Sequence, residues 1–338
     1  MIKIKMNSYN KSKTIRNYFY TTKQYLYVLF SFLIILAIGL FIFNCLFYNQ
    51  QWIWEIVRNN MNHLIINYLY FPISLLLLAP SLLLSGISLQ GSTKNQLAGP
   101  TTLGIFPLCV LGLLLAQIMT TTFSYLYIGF GLGLVFSILV LLIHFIIINK
   151  YPNKPSVSLV FGFVLATVIT SINVLIATNF KQVNISFLQL LGNSSIKVST
   201  NRFILGIVTL SVGLLILVIN GSKIKLINQN YDLATGLGAR VNLIYWSNAV
   251  ASSLIGISCC VLVGSVALVA IVMPHFGRLL FKRFNYQTQI WASILATIIF
   301  LQFAHSMVSA LVKINLIYVT AFIAAIPMII LVKKQMKT

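Results

Sequence analysis

Ten apolar runs, each near the twenty residues needed to cross a bilayer, recur along the 338 residues of this chain. They cover about 26–48, 64–88, 102–119, 124–148, 157–179, 203–220, 242–263, 266–281, 289–311 and 315–332. Little chain remains between them for a soluble domain. The composition agrees: 59% of residues are hydrophobic, 7% are charged and the mean hydropathy is +0.96. A soluble exterior usually carries about 25% charged residues. The pattern predicts an all-α, polytopic membrane protein of about ten transmembrane helices and excludes an ordinary soluble enzyme. The first run is too long for a signal-peptide core and lacks a small-residue cleavage site after Cys45-Leu46-Phe47-Tyr48. It reads as a retained helix.

The charges are lopsided, with 23 Lys plus Arg against two acids, Glu55 and Asp232. Cations spread singly along loops do not make a nucleic-acid surface, so no nucleic-acid partner is expected. They fit membrane topology instead. With the N-terminus inside, the internal side receives eighteen of the cations. These lie in the tail (Lys3, Lys5, Lys11, Lys13, Arg16, Lys23), at Lys94, Lys150 and Lys154, at Lys223, Lys225 and Arg240, at Arg278, Lys282 and Arg283, and at Lys333, Lys334 and Lys337. Arg58, Lys181, Lys197, Arg202 and Lys313 face out. The expectation is a multi-pass protein of the cell membrane, surrounded by lipid, with both termini cytoplasmic. It divides into a basic tail over 1–25, a transmembrane domain over 26–332 and a short tail over 333–338.

Three segments do not read as plain lipid-facing helix. In Leu84–Gly104 (LSGISLQGSTKNQLAGPTTLG), Gly86, Gly91, Gly99, Pro100 and Gly104 are expected to break the helix, and Gln90, Thr93, Asn95, Gln96, Thr101 and Thr102 are polar. Such backbone at membrane depth is tolerated where protein or a watery path surrounds it. Gln90, Asn95, Gln96, Leu97, Ala98, Pro100, Leu103 and Gly104 are therefore candidates to line or gate a pathway. An ordinary loop, with Thr101 or Thr102 capping span three, fits the spacing equally well.

In the second segment, Asn230–Arg240, Leu233, Ala234 and Leu237 fall on one side of a short helix. Asp232 sits near its start, Gly236 and Gly238 would end it, and Arg240 follows. A helix docking into a partner's groove and one resting on lipid both suit it. In the third, Gly264–Arg278, Pro274, His275 and Arg278 close an apolar run and suggest an anchored cytoplasmic junction. The connection 181–201 reads as a surface or re-entrant helix. Pro72 and Pro80 are expected to break span two, and His63 and His144 to sit at interfaces.

Catalytic and metal patterns are missing. There is no phosphate loop, H-E-x-x-H, G-x-S-x-G or paired carboxylate. Cys45, Cys109, Cys259 and Cys260 follow no metal-ligand spacing and read as small packing residues. No catalytic residue, metal site or enzymatic activity is expected. An ion-coupled carrier working without an ATPase is the alternative reading, but proton relays usually need intramembrane acids.

Taken in order, the three segments resemble the permease subunits of bacterial iron–siderophore and vitamin B12 ATP-binding cassette importers. The family's Q-x-x-x-x-N-P-L-A-x-P-x-x-L-G is matched by Gln90, Asn95-Gln96-Leu97-Ala98, Pro100, Leu103 and Gly104. Its coupling segment is matched by Ala234, Leu237 and Gly238, and its P-H-x-x-R by Pro274-His275 and Arg278. Departures include Gln96 for Pro, and His305 near the family's Asp in span nine.

The resemblance implies a type II ABC importer permease fold. It implies a second permease chain as homodimer or heterodimer, two cytoplasmic ATPase subunits and an extracellular substrate-binding lipoprotein. ATP and Mg would sit on the ATPase, with no cofactor in this chain. Asp232, Leu233, Ala234, Leu237, Gly238 and Arg240 would couple to the ATPase. The cargo would be an iron–siderophore, haem or cobalamin-like chelate.

Overall fold

A computed structural model describes residues 26–48, 51–52, 62–120, 125–151, 154–180, 183, 187–188, 190–192, 198–229, 231–281, 285–311 and 314–335. The described chain is helical apart from one ribbon of two two-residue strands and the turns between helices. In order, it forms α1 (Leu26–Leu46), β1 (Phe47–Tyr48) and its antiparallel partner β2 (Gln51–Trp52), α2 (Asn62–Ser92), α3 (Ile105–Met119) and α4 (Tyr125–Lys150). Then follow α5 (Pro155–Asn179), α6 (Thr200–Ile219), α7 (Gly221–Gln229), α8 (Tyr231–Gly236), α9 (Val241–Leu262), α10 (Val269–Leu280), α11 (Tyr286–Leu311) and α12 (Leu316–Gln335). Seven of these are long and apolar enough to cross a membrane, and α3, α10 and α12 are shorter apolar helices. Together they coincide with the ten runs in the sequence. The tail expected over 1–25 lies outside the described residues, as do 336–338 of the tail expected over 333–338, and α12 extends past 332 to Gln335.

Helices α2 and α9 form the centre. Of their apolar windows 72% and 78% are buried, against 6% for α1 and 11% for α5. Around them pack α3, α6, α10 and α11. Lipid gives apolar helices no hydrophobic reason to associate, so close approach through small residues does much of the work. Gly112 of α3 meets the backbone of Gly133 in α4, and Gly213 of α6 meets Ala251 and Ile255 of α9. A buried amide ties α1 to this body. Asn44 Nδ2 donates to the Gln302 backbone carbonyl (2.8 Å) and side-chain oxygen (2.7 Å). Gln302 Nε2 donates to the Pro72 carbonyl (3.0 Å), and Ser306 Oγ donates to Asn44 Oδ1 (2.9 Å).

Several expectations are corrected. Span two is not broken: α2 runs through both Pro72 and Pro80 and continues past Gly86 and Gly91 to Ser92. Inside a bilayer a broken helix strands polar backbone, so proline is carried within the helix and neighbours supply hydrogen bonds. Gly86 is there for contact rather than flexibility: a Cβ would run into the Ala270 carbonyl of α10. His144 is not interfacial. It is fully buried, with Nδ1 2.8 Å from Ser158 Oγ and Nε2 3.2 Å from the Leu103 carbonyl. His305 is also fully buried, stacked on Phe71 at 4.6 Å, with no hydrogen-bond partner for either ring nitrogen among the described residues. All four cysteines are free, three of them buried, as packing residues should be.

The Gly86 contact predicts an asymmetry between glycines. Gly86→Ala should destabilise the α2–α10 pair by about 1–3 kcal/mol through overpacking. Gly131→Ala in α4, where a Cβ meets nothing within 4 Å, should be neutral or slightly stabilising. Thermal midpoints of the two variants in detergent check this; equal midpoints would refute the close approach.

Candidate functional site

At the end of the bundle holding Ser92, two short helices follow α6. Ile227 of α7, Ala234 of α8 and Ile244 of α9 form a small buried cluster, walled by Leu226, Ala239 and Val241. Ala234 is the inward foot of α8, with no exposed surface. Leu233 and Leu237 point the other way, 49% and 69% exposed. The sequence placed all three on one side; the structure splits them, because Leu233 and Leu237 are four residues apart and share a face, while Ala234 is turned about 100° from Leu233, toward α7 and α9.

The helix is closed by a Schellman cap. Gly238 N donates to the Thr235 carbonyl and Ala239 N to the Ala234 carbonyl, both at 3.0 Å, while Gly238 takes φ +78°. That conformation is disfavoured for a residue with a Cβ. The glycine thus fixes where Leu237 points. Asp232 lies in the first turn of α8, and Arg240 is exposed just before α9.

The other two sequence segments meet. Residues 93–104 leave the helix and fold against α10. Gln90 Nε2 approaches the Ile271 carbonyl at 3.4 Å, and His275 Nε2 lies 3.0 Å from the Gln96 carbonyl. A Cβ on Gly99 would press on Ile271. Internal bonds complete the segment: Asn95 Oδ1 accepts from Leu97 N (3.0 Å), and Thr102 Oγ1 accepts from Gly99 N (3.0 Å) and donates to the Leu97 carbonyl (3.0 Å). Thr102 therefore closes this turn and does not cap α3, whose N-cap is Gly104 at φ +81°.

Ala98 and Leu103 are buried, and the Pro100 carbonyl accepts from Ile105 N at 2.9 Å. Of the candidate junction, Pro274 lies within α10, His275 makes the tie to Gln96, and Arg278 is half-buried in the last turn. The structure thus unites Gln90–Gly104 with Pro274 and His275. The α8 residues are separate from both.

A second set of irregular backbone lies across the bundle. Ser265 N donates to the Leu190 carbonyl (2.8 Å), Leu316 N to the Gly192 carbonyl (2.9 Å) and Ile317 N to the Leu191 carbonyl (3.3 Å). Residues 190–192 are thereby held within the protein, and Val183, Leu190 and Val198 are buried.

Between the two irregular regions is a cavity of about 100 Å³. It is lined by Thr101, by Phe106, Pro107 and Val110 of α3, by Thr170 and Asn173 of α5, and by Phe187, Leu191, Ser265, Val266, Ala267 and Ile317. Within the Leu84–Gly104 segment, Thr101 borders it, while Gln90, Gln96 and Gly99 pack on α10. Sequence reasoning missed Asn173 and Ser265. A lone amide inside an apolar span was the available signal for the first.

Polytopic helices around enclosed irregular segments, with a projecting helix at one end, are an arrangement suited to a transport permease. The chain matches the FecCD transport family over residues 29–334 and belongs to that family. A metal-chelate type ABC transporter, solved in an inward-facing conformation, aligns with a TM-score of 0.71 at 20% identity, covering 89% of this chain and 97% of that one. PsaBC from Streptococcus pneumoniae, solved in complex with Fab, aligns at 0.55 and 15% identity, covering 82% and 94%. These structures establish an ABC transporter permease fold. No curated protein matches the sequence.

The cap makes a local prediction. A Cβ on Gly238 meets nothing within 4 Å, so Gly238→Ala tests backbone strain alone. It should cost about 1–2 kcal/mol and speed amide exchange at residues 237–239. Gly236→Ala, equally unhindered, should leave exchange unchanged. Identical exchange in the two variants would refute the cap.

Proposed function

We propose that this chain is the permease subunit of an ATP-driven importer that carries a metal chelate, of the iron–siderophore type, across the bacterial cytoplasmic membrane. The observation that carries the reading is α8: Ala234 is buried against α7 and α9 while Leu237 and Leu233 project. An apolar tip on a stiff base suits the groove of a separate ATPase. Family membership and the fold shared with a metal-chelate type ABC transporter support it. So does a sequence without a phosphate loop, which leaves nucleotide chemistry to another chain holding ATP and Mg.

The proposed cycle is a rigid-body one. Movement of α8 passes to α7, which packs on α2. From α2 it reaches the 93–104 segment and α10, joined through Gln90, Gln96 and His275. These residues then serve as an interlocked gate more than as a lining. A second permease chain would face α5, whose exposed surface carries Thr167, Thr170, Ser171 and Thr178, small residues of the kind enriched where membrane helices pack together. An extracellular binding lipoprotein would deliver the cargo, and external cations such as Arg58, Lys181 and Lys197 would meet its acids. The domain reading places 26–332 as the permease domain, with basic cytoplasmic tails at 1–25 and 333–338.

Leu237→Asp tests the docking assignment. It should reduce uptake at least a hundredfold while leaving membrane insertion and thermal midpoint unchanged, since Leu237 supports no core. Ala234→Asp should lose both uptake and stability. Normal uptake by the Leu237 variant would overturn the assignment. A reporter fused after Lys337 should read cytoplasmic; external activity there would overturn the ten-span topology.

A further inference from the structure

Asn173 is 2% exposed within α5. Its Nδ2 donates to the Pro107 carbonyl at 2.9 Å, which fixes the orientation of the amide. The Oδ1 is therefore turned away from Pro107, buried, with no donor among the described residues. An amide oxygen kept dry and unpaired carries its full desolvation cost. Asn173 and Pro107 both line the cavity between the two irregular regions. Two of the three lining hydroxyls are already committed as donors, Thr170 Oγ1 to the Ala166 carbonyl (2.7 Å) and Ser265 Oγ to the Leu190 carbonyl (3.2 Å), while the third belongs to Thr101. What Asn173 offers is an unfilled acceptor, and what it lacks is an N–H or O–H partner among the described residues. The rest of the wall is apolar, including Phe106, Val110 and Phe187, and no lining residue is charged.

Size narrows the occupant. A cavity of about 150 Å³ is enough for a benzene-sized molecule, so about 100 Å³ admits a side arm of a chelate and not the whole. We propose that this cavity is a side pocket of the transport pathway that takes an uncharged, amide-bearing arm of the cargo, the amide N–H donating to Asn173 Oδ1. The proposal rests on the metal-chelate reading above for its cargo, but the pocket chemistry is testable without it.

Two measurements separate the two claims. Saturation-transfer NMR with N-methylacetamide on the purified permease should show transfer to the probe. The signal should fall at least fivefold in Asn173→Leu. No signal in the wild type, or equal signals in both, overturns the pocket. Uptake by cells is then compared for a ferric chelate with secondary-amide arms and one of similar size with ester arms, which lack the N–H. Wild type should favour the amide chelate about tenfold in KM, with Vmax similar, and Asn173→Leu should abolish that preference. Preference that persists in the variant overturns the pocket. Failure of the wild type to carry either chelate overturns the metal-chelate reading, while the NMR result still decides the pocket. Should Asn173→Leu fail to reach the membrane, Ala267→Phe, which fills the same cavity from the loop before α10, should give both losses; retention of probe signal and preference there overturns the proposal.

Discussion

Backbone that leaves the helix inside a bilayer has to find its hydrogen bonds in protein, because lipid supplies none. The fold of this chain is arranged around that demand. Residues 93–104 are closed by Asn95 and Thr102 and docked on α10 through Gln96 and His275. Residues 190–192 borrow the amides of Ser265, Leu316 and Ile317. Neither segment would be stable facing lipid. Their enclosure explains why α2 and α9 are so deeply buried and why α10 begins only at Val269, after an irregular stretch of its own.

The same demand sorts the molecule into what is interlocked and what is free to engage. At Gly86 the α2 side approaches the α10 backbone, at Gly99 it packs on the Ile271 side chain, and at Gln90 and His275 the two are joined by hydrogen bonds. Interfaces of this kind shift as blocks and do not deform continuously. Leu237, by contrast, stands clear of the body on a helix whose foot, Ala234, is buried. On the proposed reading, force applied at the exposed leucine reaches an interlocked gate without being absorbed between them.

The spans and the all-helical class were legible because hydropathy is summed over twenty residues, and a sum forgives local exceptions. Ser92, Lys150 and Leu262 end helices close to where the apolar runs stop. Local punctuation was misread. Pro72, Pro80, Gly86 and Gly91 look like breaks in water, yet in a membrane the cost of an unsatisfied carbonyl keeps the helix intact through all four. The α8 knuckle was visible as a motif, but the division between Ala234 and its leucines depends on the tertiary contact with Ile227 and Ile244. His144 reads from the sequence as interfacial, and Asn173 escapes notice there. Their partners, Leu103 and Pro107, are 41 and 66 positions away in the chain, beyond any local pattern.

The central claim is that movement of this permease is powered by nucleotide hydrolysis on a separate subunit gripping α8. Transport of a ferric chelate, presented on its binding protein, into proteoliposomes, with and without the cognate ATPase and with ATP inside or absent, tests it most directly. The account predicts accumulation only when both ATPase and ATP are present. Accumulation by the permease alone, driven by an ion gradient, would contradict it.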